Sequence, residues 1–253
     1  MLDNLDYIIA ENVKKTYETY EPILSNLSLS IKKGEFVCLF GPNGCGKTTF
    51  LSLISGIDTN YEGQIRINGR PPQQAKVGIV PQHYDDTLLP WRTVLGNIAL
   101  PLELEGRKRH EREEQVRKFI QKAQISLPLN LYPHQISGGQ QQLTAILQAL
   151  IQQPEFLILD EPFSALDFRH VNDVQNTLVQ LWKLTETTII FTTHDLLTAI
   201  CFADRVFMLS PRPAHLILEF NIPLQRPRLR RDPKLLKLFD DAHHKYLNMG
   251  LEN

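Results

Sequence analysis

The sequence predicts an α/β fold with an antiparallel β subdomain and an inserted helical subdomain. Three observations support this prediction. Several short apolar runs, typical of buried parallel strands, end in polar residues. Residues 27–31 alternate strictly between apolar and polar, as a strand with one exposed face does. Residues 88–153 have the composition of helices. The chain has 253 residues, 42% of them hydrophobic, which is enough to bury a substantial core.

The most informative stretch is the apolar run of residues 36–40, followed by a glycine-rich turn and a helix that stops at Gly56. The turn fits the spacing G-x-x-x-x-G-K-[ST] with Gly41, Gly44, Gly46, Lys47 and Thr48. Glycines let backbone N–H groups point at phosphate, and the helix start adds further donors. Lys47 would place a charge at the β- and γ-phosphates, and Thr48 would offer a hydroxyl to magnesium. The alternative is an ordinary turn with a solvated lysine. Because strand and helix flank the turn as required, the sequence predicts a chain that binds a nucleoside triphosphate.

Composition narrows the possible partners. The formal net charge is −1, so no overall field favours nucleic acid or an acidic membrane surface. Cys38, Cys45 and Cys201 are scattered and suit neither a disulfide framework nor a zinc site. The first residues lack the basic and apolar regions of a signal peptide. No stretch approaches the ~20 apolar residues that span a bilayer. We therefore expect any membrane role to act through a partner.

The first part of the chain predicts a small antiparallel sheet around the phosphate loop. Its strands are residues 7–13, 27–31 and 63–67, and Asn68-Gly69 predicts a hairpin-type turn after the third. Tyr17 lies between the first two strands. An aromatic ring there would stack on an adenine base or simply pack on the protein, and spacing alone does not choose between the two.

Polar residues follow three predicted parallel strands, where α/β sheets bind ligands. The strand of residues 77–80 ends before Gln82, which would meet the γ-phosphate or a water on the metal. Residues 156–159 end at Asp160 and Glu161, beside the phosphate loop in this prediction. Asp160 would hold magnesium through water, and Glu161 would polarise the attacking water. Residues 187–193 end at His194, which would hydrogen-bond the γ-phosphate. Taken alone, Gln82 is more typical of an ordinary loop and His194 of a structural residue. For Asp160 and Glu161 the phosphate loop upstream favours the catalytic role over an ordinary loop start.

The helical stretch contains a second candidate site for an anion. Ser137 is predicted to cap a helix, and Gly138 and Gly139 would expose backbone donors at its start. A plain capped helix is the alternative. Earlier in the stretch, Pro101 should break a helix, and residues 107–114 read as a solvated helical surface. Residues 88–91 are either core or a docking surface, and their composition favours core.

After Pro211 the chain becomes rich in proline and arginine. Residues 226–231 are predicted to form a solvated linker rather than a contact with phospholipid head groups. Asp232-Pro233 then predicts the start of a last helix. His243 and His244 have no matching ligand cluster, so we assign no metal site to them.

In this order the motifs resemble those of the ATP-binding subunit of ABC transporters. Residues 41–48 resemble the Walker A loop, Gln82 the Q-loop glutamine, and residues 136–140 the signature motif, which normally begins with leucine. Residues 156–160 are similar to Walker B, with Glu161 as the catalytic glutamate. Residues 164–167 resemble the D-loop, His194 the switch histidine, and Tyr17 the aromatic that stacks on adenine. The similarity covers about residues 7–210.

The resemblance implies a P-loop NTPase core of the RecA-like type that binds ATP and Mg²⁺. Residues 1–86 and 154–215 would form the nucleotide-binding core with its β subdomain, residues 87–153 the helical subdomain, and residues 216–253 a C-terminal extension. The implied catalytic residues are Glu161, His194 and Gln82, and the implied magnesium ligands are Thr48, Gln82 and Asp160. The implied ATP-binding residues are Tyr17, Gly41, Pro42, Asn43, Gly44, Cys45, Gly46, Lys47, Thr48, Thr49, Ser137, Gly138, Gly139, Gln140 and Asp167.

The resemblance also implies partners and a location. Two copies, or one copy and a sister subunit, would pair head to tail around two ATP molecules, and the signature motif of one would cover the γ-phosphate held by the other. A transmembrane permease would be driven by this closure, and a solute-binding protein would act indirectly. No nucleic acid partner is expected. The subunit would lie on the cytoplasmic face of the plasma (inner) membrane.

Within the family, residues 88–104 and 210–213 look like those of importers for nitrate, sulfonates and taurine. Residues from Leu88 would then receive the coupling helix of the permease. The chain departs from the family at Leu143 and Gln148, where arginines are usual. An ATP-binding subunit that regulates or hydrolyses weakly, and a soluble ABC ATPase outside transport, are the alternatives.

Overall fold

The computed structural model describes residues 6–17, 21–163 and 168–248, without the side chains of residues 168–173 and 175. It separates into two compact units. The phosphate-loop unit comprises residues 1–75 and 188–253, and the helical unit comprises residues 76–187. The division predicted from the sequence uses other boundaries and stays a prediction.

The strands, in chain order, are β1 (Asp6–Thr16), β2 (Pro22–Lys32), β3 (Phe36–Phe40), β4 (Glu62–Ile67), β5 (Val77–Val80), β6 (Phe156–Leu159), β7 (Thr188–Thr193), β8 (Arg205–Leu209) and β9 (Leu216–Asn221). The helices are α1 (Lys47–Ile54), α2 (Val94–Ile98), α3 (Leu100–Leu104), α4 (Arg109–Lys122), α5 (Gly138–Leu150), α6 (Phe168–Thr185), α7 (Leu196–Phe202) and α8 (Pro233–Asn248). Every strand and helix predicted above within the described residues is present, whereas β9 and α7 were not predicted.

The phosphate-loop unit contains a three-stranded antiparallel sheet in the order β2-β1-β4. Its inward side chains alternate with exposed ones along β2, and Leu27 and Ile31 are fully buried. The predicted turn at Asn68-Gly69 is confirmed, because Ile67 and Arg70 exchange both backbone hydrogen bonds at 2.7 and 2.9 Å. The predicted antiparallel β subdomain is therefore present.

Strand β3 is the centre of the parallel part of the same unit. It pairs in parallel with β7 on one side and β8 on the other, and β9 joins β8 antiparallel. All five residues of β3 are buried, and the ring of Phe36 meets that of Phe191 edge-on at 5.4 Å. A strand buried on both faces reads as a continuous apolar run, which is why the sequence revealed it.

The helical unit combines the parallel pair β5 and β6 with helices α2–α6. Pro101 stands in the first turn of α3 and separates it from α2, as predicted. On α4, the i,i+4 ion pairs Arg109–Glu113 and Lys118–Glu114 lie on the exposed side, which confirms the solvated surface.

The loop before α2 is organised by Asn97, whose side chain is fully buried. Its Oδ1 accepts from the Leu89 amide at 2.7 Å, and its Nδ2 donates to the carbonyl oxygens of Leu89, Arg92 and Thr93. Only the first end of this loop is buried in the core. Leu88 is buried, whereas Trp91 is 71% exposed.

None of the helices in the described ranges combines the length and the apolar character that a bilayer crossing requires. The three cysteines are buried, and none of them forms a disulfide bond.

Candidate nucleotide-binding site

The phosphate loop leaves the buried strand β3 and ends at the first turn of α1. Gly44 and Gly46 have φ angles of 74° and 122°, which favour glycine. A Cβ atom on Gly46 would lie 2.9 Å from Leu24 Cδ2, so this position also excludes side chains by contact with β2. The glycine spacing in the sequence is thus required by both conformation and space.

Lys47 is only 6% exposed although it carries a charge. Its Nζ donates to the carbonyl oxygens of Gly41 at 2.9 Å and Pro42 at 3.1 Å, so the ammonium group lies inside the loop. Asn43, Gly44 and Thr48 are exposed along the same loop. The arrangement offers a buried cation, exposed backbone and a hydroxyl at one helix start, a combination that suits a phosphate chain.

His194 leaves the sheet beside the phosphate loop. In the register of β3 and β7, Phe40 lies opposite Thr193, and the Gly41 amide donates to the Thr193 carbonyl at 3.4 Å. Gly41, Pro42 and His194 line one pocket of about 440 Å³, with α8 supplying part of its wall. The imidazole is exposed. The structure therefore brings together two elements that are about 150 residues apart in the sequence.

Helix α8 contributes aromatic residues to this pocket. The ring of Tyr246 contacts that of Phe40 edge-on at 5.5 Å, and burial raises the pKa of the Tyr246 hydroxyl. Leu235 and Ala242 are buried on the same helix, which therefore packs one apolar face against the protein. Within the described residues, no three His, Cys, Asp or Glu side chains form a cluster that would hold a metal by themselves.

Tyr17 is 45% exposed, so its ring is accessible. Its hydroxyl donates to Asp58 Oδ2 at 3.2 Å, and the Lys15 Nζ lies 4.6 Å from its ring centroid. Lys15 is nearly fully buried and pairs with Asp58 at 2.7 Å. The hydrogen bond from Lys15 is the main cause that lowers the pKa of Asp58. Sequence reasoning missed Lys15 and Asp58, which hold the ring in place.

In the helical unit, Gln82, Asp160 and Glu161 follow two paired strands. Val80 lies opposite Leu159, and the Asp160 amide donates to the Val80 carbonyl at 3.0 Å. Gln82 is exposed, whereas Asp160 and Glu161 are 7% and 8% exposed. Glu161 has a φ of 46°, a left-handed conformation that is uncommon outside glycine and that often marks functional positions.

The start of α5 forms a reciprocal cap. Ser137 Oγ accepts from the Gln140 amide at 3.4 Å, and Gln140 Oε1 accepts from the Ser137 amide at 3.1 Å. Ser137 and Gly138 are exposed, whereas Gly139 is buried. The predicted cap is confirmed. Asp167 and the rest of residues 164–167 lie outside the described residues.

The candidate residues are thus divided between the units. The phosphate-loop unit holds residues 41–49, Tyr17 and His194, and the helical unit holds Gln82, residues 137–140, Asp160 and Glu161. Sequence reasoning also missed Asp195, which follows His194 and caps α7 by accepting from the Leu197 amide at 3.0 Å. An aspartate directly before an apolar segment was the available signal.

A profile of the ABC transporter family matches residues 24–164, more than half of the chain. A second profile, described as an AAA domain, putative AbiEii toxin, Type IV TA system, matches residues 129–200.

Among curated proteins, an uncharacterised ABC transporter ATP-binding protein, MJ0412 of Methanocaldococcus jannaschii, is 39% identical over 232 residues. That match covers 90% of this chain and 86% of the relative. The aliphatic sulfonates import ATP-binding protein SsuB of Bacillus subtilis is 37% identical, covering 83% and 82%. The spermidine/putrescine import ATP-binding protein PotA of Legionella pneumophila is 40% identical, covering 78% of this chain and 56% of the relative.

Two solved structures are similar in fold. One is a dimeric structure of a post-hydrolysis state of the ATP-binding cassette MJ0796 bound to ADP and Pi, with a TM-score of 0.72 and 30% identity, covering 86% of this chain and all of the other. The other is cbiO1 from Clostridium perfringens, part of the ABC transporter complex cbiONQ, with a TM-score of 0.79 and 26% identity, covering 96% and 95%.

Proposed function

Because the chain belongs to the ABC transporter family of ATP-binding proteins, we propose that it couples ATP hydrolysis to uptake of a small anion through a membrane permease. The observation that most supports the ATP-binding part is the phosphate loop, with Lys47 held inside it and His194 at its edge. Both lie in one unit and are fixed by the pairing of β3 and β7.

Binding of the triphosphate is assigned to residues 41–49. Backbone amides of the loop would donate to the β- and γ-phosphates, and Lys47 would exchange its carbonyl partners for phosphate oxygens. Pro42, Asn43, Cys45 and Thr49 belong to this loop and helix start, and Cys45 is buried within it. Tyr17, whose ring is accessible, would stack on the adenine base.

The magnesium ligands assigned from the sequence supply only oxygen, through the Thr48 hydroxyl, the Gln82 amide and the Asp160 carboxylate. Hard oxygen donors with few protein carboxylates suit Mg²⁺ bound together with phosphates. The residues therefore fit the ion. When bound, it would supply charge neutralisation at the β- and γ-phosphate oxygens.

Hydrolysis is assigned to Glu161, His194 and Gln82. Glu161 would accept a proton from the attacking water, which raises the nucleophilicity of that water. His194 would donate a hydrogen bond to the γ-phosphate, where negative charge grows during transfer. Gln82 would orient water at the same phosphate.

A head-to-tail dimer would give the start of α5 a ligand. Ser137, Gly138, Gly139 and Gln140 of one copy would cover the γ-phosphate bound by the other, and Asp167 would lie at the same interface. The exposed Ser137 hydroxyl and Gly138 backbone support this assignment. The related MJ0796 cassette has been captured as a dimer with ADP and Pi.

Transport of a small anion is supported by the sulfonate importer subunits among the relatives and by the family features of residues 88–104. The PotA relative is named for spermidine and putrescine, which are cations. The relatives therefore differ in the charge of their solutes, and an anionic solute for this chain is our proposal. The exposed Trp91, on a loop that Asn97 holds in shape, would contact the coupling helix of the permease. The subunit would lie on the cytoplasmic face of the membrane, and an extracytoplasmic binding protein would deliver the solute.

A weakly hydrolysing regulatory subunit is the second candidate, because Leu143 and Gln148 replace the usual arginines of α5. A Glu161→Gln variant separates the two functions. We expect ATP turnover to fall at least about 10²-fold, while an ATP-dependent dimer accumulates in light scattering. Glu11→Gln, which changes an exposed carboxylate on β1, serves as the control.

Two results would contradict the proposal. One is a Glu161→Gln protein that turns over ATP at the wild-type rate. The other is a protein that stays monomeric with ATP and magnesium even beside its permease. The class of solute that is transported can be tested after purification of the protein with its permease. Uptake into vesicles is then measured with sulfonate, nitrate and spermidine.

A further inference from the structure

Three arginines follow β9 at alternating positions, Arg226, Arg228 and Arg230. We call residues 226–230 the arginine strap. The three side chains are half-buried, whereas residues 225, 227, 229 and 231 are exposed. This alternation places the three arginine side chains against the protein and leaves the residues between them in solvent. The solvated linker expected from the sequence is therefore wrong for this segment, because one arginine face packs against the fold.

The first two arginines bind the C-terminal end of α7. Arg228 Nη1 donates to the carbonyl oxygens of Ile200 at 3.0 Å and Ala203 at 2.6 Å, and Arg226 Nε donates to Phe202 O at 3.1 Å. These carbonyls stand at the negative end of the helix, where hydrogen-bond partners within the helix run out. Burial, and secondly the charge of Arg226, lower the pKa of Arg228 to about 10, which leaves it protonated at neutral pH.

The third arginine binds the N-terminal end of the same helix. Arg230 Nη2 donates to Thr198 Oγ1 at 2.5 Å and to Asp195 Oδ2 at 3.2 Å. The same Asp195 oxygen accepts from the Thr198 hydroxyl at 2.5 Å, while its other oxygen caps the helix. The strap thus holds both ends of α7, a helix of seven residues that is too short to be stable alone.

Helix α7 begins at Leu196, two residues after His194. On its other side, His194 follows Thr193, which β7 fixes against Phe40. The Asp195 amide also donates to Thr193 Oγ1 at 3.1 Å, so the backbone is fixed on both sides of the histidine. The imidazole is exposed, so this fixed backbone contributes to its position where burial does not.

We propose that Arg230 is a positioning residue for His194, acting through Asp195 and Thr198. This inference rests on the proposed function, in which His194 meets the γ-phosphate. Loss of the guanidinium would release the first turn of α7 and move the imidazole away from the edge of the phosphate loop. Binding of nucleotide by Lys47 and the loop would be unchanged, because the carbonyl oxygens of Gly41 and Pro42 hold the ammonium group within the loop itself.

Steady-state ATP turnover of the full chain tests the inference with four variants. For Arg230→Met we expect kcat, calculated per folded molecule from the circular dichroism signal, to fall at least about tenfold and KM for ATP to change less than about twofold. The rate is expressed per folded molecule because partial unfolding alone would lower the apparent kcat without changing KM. Arg230→Lys should recover a third or more of the wild-type kcat. Arg231→Met changes an exposed arginine at the next position and should behave as wild type. Thr198→Val removes one partner of Arg230 and provides a second test if Arg230→Met does not fold.

A second readout follows the histidine directly. The imidazole resonances of His194, assigned by comparison with His194→Gln, should shift in Arg230→Met and stay in place in Arg231→Met.

The inference is overturned if Arg230→Met or Thr198→Val keeps a kcat within twofold of wild type, or if kcat falls only together with a large rise in KM. Absence of turnover in the wild-type protein would instead refute the proposed function, and with it the role of His194 on which the inference depends.

Discussion

The ammonium group of Lys47 donates a hydrogen bond to the carbonyl oxygen of Gly41, six residues earlier, at 2.9 Å. The bond ties the first residue of α1 to the first residue of the phosphate loop. It places a buried cation at the centre of the loop and satisfies a carbonyl that a turn would otherwise leave to solvent. The lysine therefore stabilises the loop in a conformation that suits phosphate.

Replacing Lys47 by methionine keeps most of the unbranched side chain and removes the charged group at its end. Charge-assisted hydrogen bonds contribute about 1.5–3 kcal/mol, so ATP affinity should fall roughly 10- to 100-fold. The thermal midpoint should also fall, because two bonds to loop carbonyls are lost. Titration calorimetry with ATP and magnesium measures the first effect. Lys33→Met, at an exposed position before β3, controls for loss of charge, and unchanged affinity in Lys47→Met would contradict the assignment.

Gln148→Arg tests the departure of α5 from the family pattern. Gln148 is half-buried, and its Oε1 has no hydrogen-bond partner among the residues that the structure describes. An arginine there would restore positive charge to α5, and we expect a faster ATPase rate. Gln148→Met adds no charge and should leave the rate unchanged. An equal rate in wild type and Gln148→Arg would discard the idea that this position limits turnover.

Gln142 is fully buried, and neither its Nε2 nor its Oε1 finds a hydrogen-bond partner in the described part of the chain. Burial of an unsatisfied polar group costs about 1–3 kcal/mol. Gln142→Met should therefore raise the free energy of unfolding, by roughly 1 kcal/mol after repacking. The neighbouring Gln141→Met is a matched control with the opposite sign, because Gln141 Nε2 donates to Pro133 O at 2.9 Å. Urea denaturation of both variants measures these changes in the free energy of unfolding. Destabilisation by Gln142→Met would contradict the prediction and show that the amide has a partner.

Asp58 gives the protein a pH-dependent contribution to stability. Its pKa is lowered from an ordinary value of 3.8, mainly by the hydrogen bond from Lys15. A lowered pKa in the folded state means that the unfolded chain binds more protons at acid pH. The contribution is therefore present in full well above pH 3.8 and is lost as the pH falls through the folded-state pKa.

Asp58→Asn should accordingly destabilise the protein at pH 7, by roughly 2 kcal/mol because Lys15 loses a charged partner. The difference from wild type should narrow as the pH falls below 4. Urea unfolding at a series of pH values measures this, with Asp6→Asn as the exposed control. A difference that stays constant down to pH 3 would contradict the stated role of the Lys15–Asp58 pair.

The sequence determined the parts of this protein that depend on local conformation. Residues 36–49 predict strand, loop and helix because buried strands read as apolar runs and Gly44 and Gly46 occupy left-handed positions. Ser137 predicts its own helix cap, because the amide it accepts from, that of Gln140, lies only three residues away. The family resemblance rests on these features. The comparisons with known proteins confirm both the fold and the family.

Only the tertiary structure decided the interactions between distant residues. The arginine strap was predicted to be solvated because a run of arginines looks the same whether it faces water or a helix end. Within it, Arg228 donates to backbone carbonyls 25 and 28 residues away. Every residue carries a carbonyl, so an acceptor of this kind leaves no mark on the sequence. Folding alone determines which carbonyl a side chain reaches, and that is why the partners of Lys47 and Arg228 appear only in three dimensions.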